Sequence, residues 1–475
     1  MNRHRAVRLL LGTSTAVAGF LGLPAVHAQS TDALLDKLVE KGILTVKEAN
    51  ELREESDNDF NKAYAAKSGM PDWVTALKIN GDFRGRFEGF YADNPDFVDR
   101  NRWRYRLRLG VTANLKDNFE IGVRLASGDL DNAAGQTSGS DPISNNQTLQ
   151  NNASKKGIYL DQAYARWTAL NRPEMTGVLT LGKMENPFVF SDLLFDSDYT
   201  PEGAAQQVTY NLSAQQALKL NLGEFVLDEI GGSNADPFLL GGQLRLESAW
   251  TPKIATSLGA AFLSIQNDES LPSSAVPDIN AGNLRRTRYT TSADGSRIFA
   301  GLQEPVNGYE TFVADAAVTY TLNTFPFYAG PFPIRVFGEY LHNTAAADQN
   351  QGYQVGVAFG RAGKRRTWEL SYRYKVLEGD AWWEELTDSD FGAYYANALP
   401  ATVPPGQAVP PAGRARSSGY WAGTNARGHV VKASYSPFDP LTLSFTWFGV
   451  DLIEEYLPGT DSRMNRLQVD GLLKF

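Results

Sequence analysis

The chain has 475 residues, with 45 Lys and Arg against 54 Asp and Glu, four His and no Cys, which gives a formal net charge of −9. Without cysteine there is no disulfide framework, thiolate metal site, covalent haem attachment or cysteine nucleophile. The acidic balance argues against a nucleic-acid partner, and four histidines make a histidine metal centre improbable. The 43 Gly, 25 Phe, 20 Tyr and 9 Trp favour strands and turns. We expect a β protein with no cofactor and no bound metal.

The N-terminus has the pattern of a secretory signal peptide, predicted to span residues 1–28. Arg3, Arg5 and Arg8 supply the positive start, 9–23 is apolar, and small residues end the segment. An uncleaved membrane anchor is the alternative, but its apolar stretch should be closer to ~20 residues. We therefore expect export from the cytoplasm and removal of this segment.

Residues 29–70 predict a short periplasmic helical segment. Leu34 and Leu38 lie on one helical face, and Thr45 with Glu48 is typical of the capping box that begins a second helix. Such a pair of helices is too short to be stable alone. It either associates with copies of itself or remains a loosely structured arm.

From Trp73 onward the period of the apolar residues changes from about 3.6 to about 2, which is typical of strands. Many of the predicted strands exceed the ~9–11 residues that a tilted strand needs to cross hydrocarbon. Sixteen candidate strands follow this pattern, at 73–91, 101–115, 119–128, 156–168, 174–184, 203–212, 217–230, 238–251, 254–266, 308–322, 330–342, 350–360, 365–378, 425–435, 441–453 and 462–475.

The connections between these strands alternate in length. The long ones are 129–155, 185–202, 267–307 and 379–424. Short turns at one end and long loops at the other are typical of outer-membrane barrels, whereas a soluble sandwich has no reason to separate them. For 71–475 the sequence therefore predicts an all-β fold, a transmembrane antiparallel up-and-down β-barrel of about 16 strands in the cell outer membrane.

Two motifs resemble the putative porin family of Gram-negative bacteria. One is Leu-Gly-Lys-Met-Glu-Asn-Pro-Phe at 181–188, which runs on to Gly203, and the other is 79–87, followed by the Arg-rich strand 102–109. The resemblance implies a water-filled channel for passive diffusion of small hydrophilic solutes and ions, in a homotrimer surrounded by outer-membrane lipid and lipopolysaccharide. The terminal Phe475 resembles the signal read by the barrel assembly machinery.

The polar faces of the first three strands predict a basic wall inside the barrel. Its members are Arg84, Arg86, Arg102, Arg104, Arg106, Arg108 and Arg124. In general porins the third external loop folds inward, and here that connection carries the carboxylates Glu185, Asp192, Asp196, Asp198 and Glu202. The resemblance thus implies a constriction between opposed charges, whose transverse field would favour polar solutes.

Two other interpretations of these charges stay open. The arginines could be structural, paired with Glu88, Glu120 and Asp82, and the acidic run could be a solvated external loop or a calcium site with oxygen ligands. The Trp382-Trp383 pair could anchor its loop or stack against a sugar.

Two other function classes were weighed. Some outer-membrane barrels are enzymes, but these need a nucleophile with a base. After export the chain keeps only His342 and His429, and it has no Gly-x-Ser-x-Gly motif. We therefore expect no enzymatic activity. The alternative to a porin is a structural, tethering or partner-filled barrel with little free diffusion.

Overall fold

The computed structural model describes residues 70–129, 141–271, 280–396, 399–415, 417–455 and 461–475. The predicted signal peptide, and all but the last residue of the predicted helical segment, lie outside these ranges and stay predictions. Residues Trp73–Phe475 form one compact unit. Within the described ranges, no helix is long and apolar enough to cross a membrane.

Sixteen long strands follow one another in the chain and pair antiparallel with their neighbours. In chain order they are β1 (Val74–Ala92), β2 (Arg100–Leu115), β3 (Phe119–Gly128), β4 (Gly157–Asn171), β5 (Met175–Lys183), β6 (Glu202–Ser213), β7 (Gln216–Val226), β8 (Phe238–Ala249), β9 (Ile254–Gln266), β10 (Tyr309–Leu322), β11 (Phe332–Asn343), β12 (Gln351–Gly360), β13 (Thr367–Leu377), β14 (Ala426–Phe438), β15 (Leu441–Leu452) and β16 (Met464–Lys474). Because β16 also pairs with β1, the sheet closes. The predicted 16-stranded barrel is confirmed, and the predicted strand ends lie within a few residues of the observed ones.

The junction of β1 and β16, here called the barrel seam, depends on a close backbone approach. Gly81 exchanges backbone hydrogen bonds of 2.9 and 3.1 Å with Phe475. A Cβ on Gly81 would collide with the Phe475 ring and with the carbonyl oxygen of Arg108. Glycine is therefore required at this point of the seam.

The two faces of each strand differ in chemistry, because successive side chains point to opposite sides of a sheet. On β1 and β2 the outward residues Ile79 and Trp103 are 65% and 60% exposed, whereas the inward residues Arg86 and Arg106 are about 5% and 6% exposed. The alternation predicted from the sequence thus gives an apolar outer surface and a charged interior.

The longest connections all lie at one end of the barrel, and the other end, called the short end, has turns of two to nine residues. The turns at the short end are 116–118, 172–174, 214–215, 250–253, 323–331, 361–366 and 439–440. The loops at the other end are L1 (93–99), L2 (129–156), L3 (184–201), L4 (227–237), L5 (267–308), L6 (344–350), L7 (378–425) and L8 (453–463).

Three of the loops contain short strands of their own. In L5, Arg285–Thr291 pairs with Arg297–Pro305, and two-residue strands of L7 extend this hairpin on both sides. Within L7, Gly392–Tyr395 pairs with Gly419–Ala422. In L2, Gln147–Thr148 pairs with β2. The loops are therefore tied to one another and to the barrel by backbone hydrogen bonds.

An apolar core lies inside the barrel, where L3 and L7 pack against β6 to β11 and β13. Leu193 and Leu194 of L3 and Trp382 of L7 are fully buried in it. The Trp382 indole N–H donates to the carbonyl oxygen of Leu194 at 3.0 Å. The strand residues of this core are Ala205, Phe225, Leu239, Ala261, Leu263, Ile265, Tyr309, Val313, Leu341 and Leu377. Both loops are consequently held by the same burial that stabilises a soluble core.

Replacing Trp382 by Ala should destabilise the folded barrel by about 3–5 kcal/mol, the usual cost of truncating a buried aromatic residue. The measurement is the thermal unfolding midpoint of the detergent-solubilised protein. The matched control is Leu244→Ala, because Leu244 is 49% exposed on the outer face and should change the midpoint much less. Equal losses in the two variants would contradict a core formed by L3 and L7.

Candidate functional site

L3 carries a carboxylate that reaches the basic wall. Asp198 accepts hydrogen bonds from Arg106 at 2.9 Å and from Arg108 at 3.2 Å. Both arginines are inward residues of β2, and Asp198 is 7% exposed. The C-terminal part of L3 is therefore bound to the wall formed by β1 to β3.

The middle of L3 contacts the other side of the barrel. Asp192 pairs with Arg373 at 2.5 Å and with Lys375 at 3.2 Å, both on β13. On β8, Arg245 donates to the carbonyl oxygen of Val189 at 3.0 Å. Around the barrel, five strands lie between β2 and β8 in one direction, and four lie between β2 and β13 in the other. L3 contacts all three strands and therefore lies across the lumen.

Glu88 is the centre of a cluster that includes three arginines of the predicted wall. It is fully buried and accepts from Arg102 at 2.5 Å, from Arg466 at 2.9 Å and from Arg86 at 3.3 Å. Arg104 lies 3.9 Å from it. Because a buried carboxylate is costly unless it is paired, these arginines are needed to keep Glu88 ionised.

Asp82 and Asp161 form ion pairs with three further arginines of the wall. Asp82 contacts Arg106 at 3.0 Å and Arg108 at 2.7 Å. Asp161 binds Arg124. Glu88 and Asp82 thus pair with wall arginines, which is the arrangement that the alternative interpretation of the sequence described. Most arginines of the predicted wall therefore take part in ion pairs.

Arg84 differs from its neighbours. Its guanidinium donates to the side-chain oxygen of Asn146 in L2 at 2.7 Å, and among the described residues no carboxylate oxygen lies within ion-pair distance of it. Its Nε is buried and has no acceptor in the described part of the chain. Of the seven predicted wall arginines, Arg84 is therefore the one with no carboxylate neutralising it directly.

The five predicted loop carboxylates do not form one row. Glu185 lies at the edge of the wall, 3.6 Å from Arg124 and 72% exposed. Glu202 belongs to β6 and pairs with Lys183 at 2.9 Å. Asp196 accepts from the backbone N–H of Ser389 in L7 at 3.1 Å. Together with Asp192 on the far side, this leaves Asp198 as the predicted loop carboxylate that hydrogen-bonds to the wall, while Glu185 makes a longer ion pair at its edge.

This arrangement differs from the expected pair of charged surfaces facing each other across water. Asp198 and the arginines are in contact because charges taken out of water are stabilised only at hydrogen-bonding distance. The transverse field that we expected is consequently reduced near Asp198, where each positive group has a negative neighbour.

Several residues of this site were missed by the sequence analysis, and Arg466 and Asp390 show why. Arg466 of β16 is 2% exposed and donates to Asp390 of L7 at 2.6 Å; Asp390 also contacts Arg86 at 3.1 Å. Arg466 could have been found, because it alternates with the outward Leu467 and Val469. Asp390 could not, because L7 has no period and its path into the barrel depends on tertiary contacts.

The pKa values of the carboxylates in L3 and L7 are shifted in two directions. They are lowered at Asp192 and Asp198 and raised at Asp196 and Asp388. Burial alone would raise the pKa of Asp192, but Arg373 and Lys375 lower it to about 2. Burial likewise opposes ionisation of Asp198, yet the wall arginines, Arg106 first, hold its pKa below the ordinary value. These two groups stay charged because cations surround them.

At the contact of L3 with L7 the shift is upward. Burial raises the pKa of Asp388 to about 6, with Asp192 and Asp390 adding to the shift and Lys375 opposing it. Burial and the charges of Asp198 and Asp388 raise the pKa of Asp196 well above its ordinary value. The two loops therefore meet at carboxylates that are protonated more readily than ordinary aspartates.

A cavity of about 350 Å³ lies between L3 and the basic wall. Arg108 and Arg124 line it from the barrel side, and Glu185 and Ser197 from L3. In the described ranges no group of three His, Asp or Glu side chains is arranged to hold a metal ion. The cavity presents charged and hydrogen-bonding groups together with the rings of Phe188, Phe190 and Phe195.

Residues 94–297 match the model of a family described as putative porin. The predicted family resemblance is confirmed over this range. No match was found among curated proteins. The protein is thus a transmembrane β-barrel of the outer membrane that is similar to the putative porins over this range.

Three solved structures show the range of similarity, each over 84% of the chain. Pseudomonas putida OprB has 10% identity over 94% of its own length and a TM-score of 0.46. Variant Rhodopseudomonas blastica porins include one with 11% identity over 100% of its length and a TM-score of 0.39. A loop-deleted OmpT from Vibrio cholerae has 9% identity over 99% and a TM-score of 0.40.

The contact of L3 with L7 should strengthen as the pH falls through about 6. Asp388 has a raised pKa in the docked state, so docking binds a proton that the free loop does not hold, and the contribution is lost as the pH rises. The lowered pKa of Asp192 has the opposite effect on docking, because its contribution is lost as the pH falls. That loss begins only below the ordinary pKa of an aspartate.

The measurement is the thermal unfolding midpoint at about pH 5 and about pH 8, where each pKa unit corresponds to about 1.4 kcal/mol. Asp388→Asn should reduce the difference between the two midpoints. The control Asp99→Asn changes an exposed carboxylate of L1 and should keep the full difference. An unchanged difference in Asp388→Asn would show that this carboxylate does not control docking.

Proposed function

We propose that this outer-membrane barrel is a channel for passive diffusion of small hydrophilic solutes and ions, with its narrowest part between L3 and the basic wall. The observation that carries the proposal is the cavity beside Arg108 and Arg124. Most of its lining residues are charged or form hydrogen bonds, and the rest are the aromatic residues Phe188, Phe190, Phe195 and Tyr199. Charged and hydrogen-bonding groups are the surfaces that a hydrated solute can pass.

The path follows from where the lumen is already filled. The apolar core of L3 and L7 occupies the side of β6 to β11 and β13. Polar solutes gain nothing from an apolar, close-packed region. The β1 to β3 side, with paired charges and the cavity, is therefore the side along which solutes would pass.

The assembly and its partners belong to the same proposal. The apolar outer surface of the strands is suited to outer-membrane lipid and lipopolysaccharide. We propose a homotrimer, and recognition of the last strand with Phe475 by the barrel assembly machinery, on the basis of the porin resemblance. The family match also favours a channel over an enzyme.

A second candidate function is a tethering or partner-filled barrel with little free diffusion. The observation in its favour is the density of the L3–L7 packing, in which Trp382 is fully buried and Asp196 contacts Ser389. A purified protein that folds but does not conduct in a planar bilayer would support it. Steady single-channel conductance would exclude it.

A bulky residue in the cavity tests the path. Ser197 is exposed and lines it, so Ser197→Trp should reduce single-channel conductance roughly twofold or more, since conductance depends on the narrowest cross-section. Ser233→Trp in L4 is the control for adding an indole to an exposed loop. Equal conductance in the two variants would show that ions take another path.

Arg84→Gln tests how the wall selects ions. Because no carboxylate of the described residues pairs with Arg84 directly, its loss should shift the reversal potential in a salt gradient toward cations without unfolding the barrel. Arg106→Gln should instead weaken folding, because it leaves Asp82 and Asp198 short of a buried partner. The control is Arg288→Gln on the exposed face of L5. A reversal potential that does not respond to Arg84→Gln would remove this residue from the conducting path.

A further inference from the structure

One turn at the short end of the barrel concentrates positive charge. This turn, 361–366 between β12 and β13, is here called the basic turn; it contains Arg361, Lys364, Arg365 and Arg366 and no acidic residue. All four side chains are exposed, and among the described residues none of them forms an ion pair. Each of the other turns at this end has a net charge between −1 and +1. The basic turn is therefore a local feature and not a property of the whole rim.

A neighbouring turn at the same end is aromatic. The nine-residue turn 323–331 between β10 and β11, here called the aromatic turn, folds back over the outer face of the sheet. The Phe325 ring stacks on Phe332 with centroids 4.1 Å apart, and Tyr328 packs edge-on against Phe332 at 4.9 Å and against Trp368 at 6.1 Å. Phe332 and Trp368 alternate with exposed residues on the outer faces of β11 and β13. The aromatic turn thus lies on the lipid-facing side of the barrel.

Phe327 projects from the aromatic turn into the surroundings. Its side chain is 96% exposed, more than any other large apolar side chain in the described part of the chain. Its backbone φ is 59°, in the left-handed region that glycine adopts more readily than a residue with a Cβ. The backbone conformation alone would therefore favour glycine here. A phenylalanine at this point is suited to contact with lipid at the membrane surface, where aromatic side chains are enriched.

Hydrogen bonds and ring contacts hold the two turns side by side. The Tyr328 hydroxyl donates to the carbonyl oxygen of Arg361 at 3.0 Å and accepts from the backbone N–H of Arg361 at 3.3 Å. On the other side of the basic turn, the Arg365 guanidinium lies over the exposed ring of Phe438, 5.8 Å from its centroid. The cations are consequently placed between two aromatic surfaces.

One carboxylate lies close to the basic turn and offsets only part of its charge. Asp439, in the turn between β14 and β15, accepts from the backbone N–H of Arg365 at 2.8 Å. A single carboxylate neutralises at most one of the four cations. The surface formed by the two turns thus stays positive, although the chain as a whole has a net charge of −9. Its partner should be an anion.

The position of this surface indicates which anion. Short turns of outer-membrane barrels face the periplasm, so the two turns lie beside the headgroups of the inner leaflet. Clusters of Lys and Arg at a membrane surface attract anionic lipids, and guanidinium groups bind phosphate through paired N–H donors. A soluble anion would satisfy the cations but not the outward rings, whereas a phospholipid offers a phosphate and acyl chains together.

We propose that the basic turn and the aromatic turn together bind an anionic phospholipid of the inner leaflet, with its phosphate at the cations of 361–366 and its acyl chains against Phe325 and Phe327. This goes beyond the diffusion channel proposed above, because it assigns a lipid site with a charge preference to one part of the outer surface. The site needs a folded barrel but not a conducting one.

The test is native mass spectrometry of the purified protein in a non-ionic detergent, with phosphatidylglycerol or phosphatidylcholine of identical acyl chains added. Phosphatidylglycerol should bind about tenfold or more tightly than phosphatidylcholine. Arg361→Gln combined with Arg365→Gln should remove this preference, because cations near a lipid surface attract anionic headgroups. Phe327→Ser should weaken the binding of both lipids by a similar factor, because it removes an apolar contact and no charge.

The matched control for charge is Arg288→Gln combined with Arg297→Gln, two exposed arginines of L5 at the opposite end of the barrel. This variant loses the same charge and should keep the full preference for phosphatidylglycerol. If the variant of the basic turn fails to fold, Phe327→Ser decides alone, because the exposed side chain of Phe327 is dispensable for packing.

Several outcomes would overturn the proposal. They are equal affinity for the two lipids, an unchanged preference in the Arg361→Gln and Arg365→Gln variant, and unchanged lipid binding in Phe327→Ser. Displacement of phosphatidylglycerol by equimolar inorganic phosphate would make the surface a site for soluble anions, and displacement by equimolar polyglutamate would assign it to an acidic protein. Conductance without a lipid preference would remove this site and keep the channel; a lipid preference without conductance would do the reverse.

Discussion

The ion cluster at the barrel seam is the interaction on which the interior depends. Closing the barrel places β16 beside β1, so that Arg466 meets Glu88 at 2.9 Å and Asp470 meets Arg86 at 2.7 Å. None of these four charges would be stable in the interior of the barrel without its partner. Closure and charge pairing therefore require each other: the strands bring the partners together, and the partners remove the cost of burying charge in a closed lumen.

The same cluster holds L7. Asp390 contacts both Arg466 and Arg86, so the loop supplies a carboxylate that β1 and β16 do not provide themselves. L7 in turn contributes Trp382 to the core that fixes L3. The inward position of L3 thus depends on a series of contacts that begins at the seam. A substitution of Arg466 should therefore alter the position of L3, although Arg466 is not part of that loop.

The sequence was sufficient to predict the barrel, but not to predict the contacts inside it. Strand number and the inward direction of the arginines follow from a period of about 2 residues, which depends only on neighbouring positions. The pairing of Asp198 with Arg106, and the entry of Asp390, depend on loops without a period, folded by contacts far apart in the chain. The prediction of opposed charges was inexact for this reason: residue types indicated which charges are present, but not that they touch.

Direct pairing also changes how the wall should be understood. Where an arginine and a carboxylate are in contact, removing one exposes the other, so a substitution reports on folding as much as on solute passage. Only a charge without such a partner acts on a passing ion with little structural consequence, and among the wall arginines that position is held by Arg84. If the lumen conducts as proposed, its selectivity would depend on the few charges that pairing leaves over, whereas the arginines of β2 would mainly keep the loops and the seam in place.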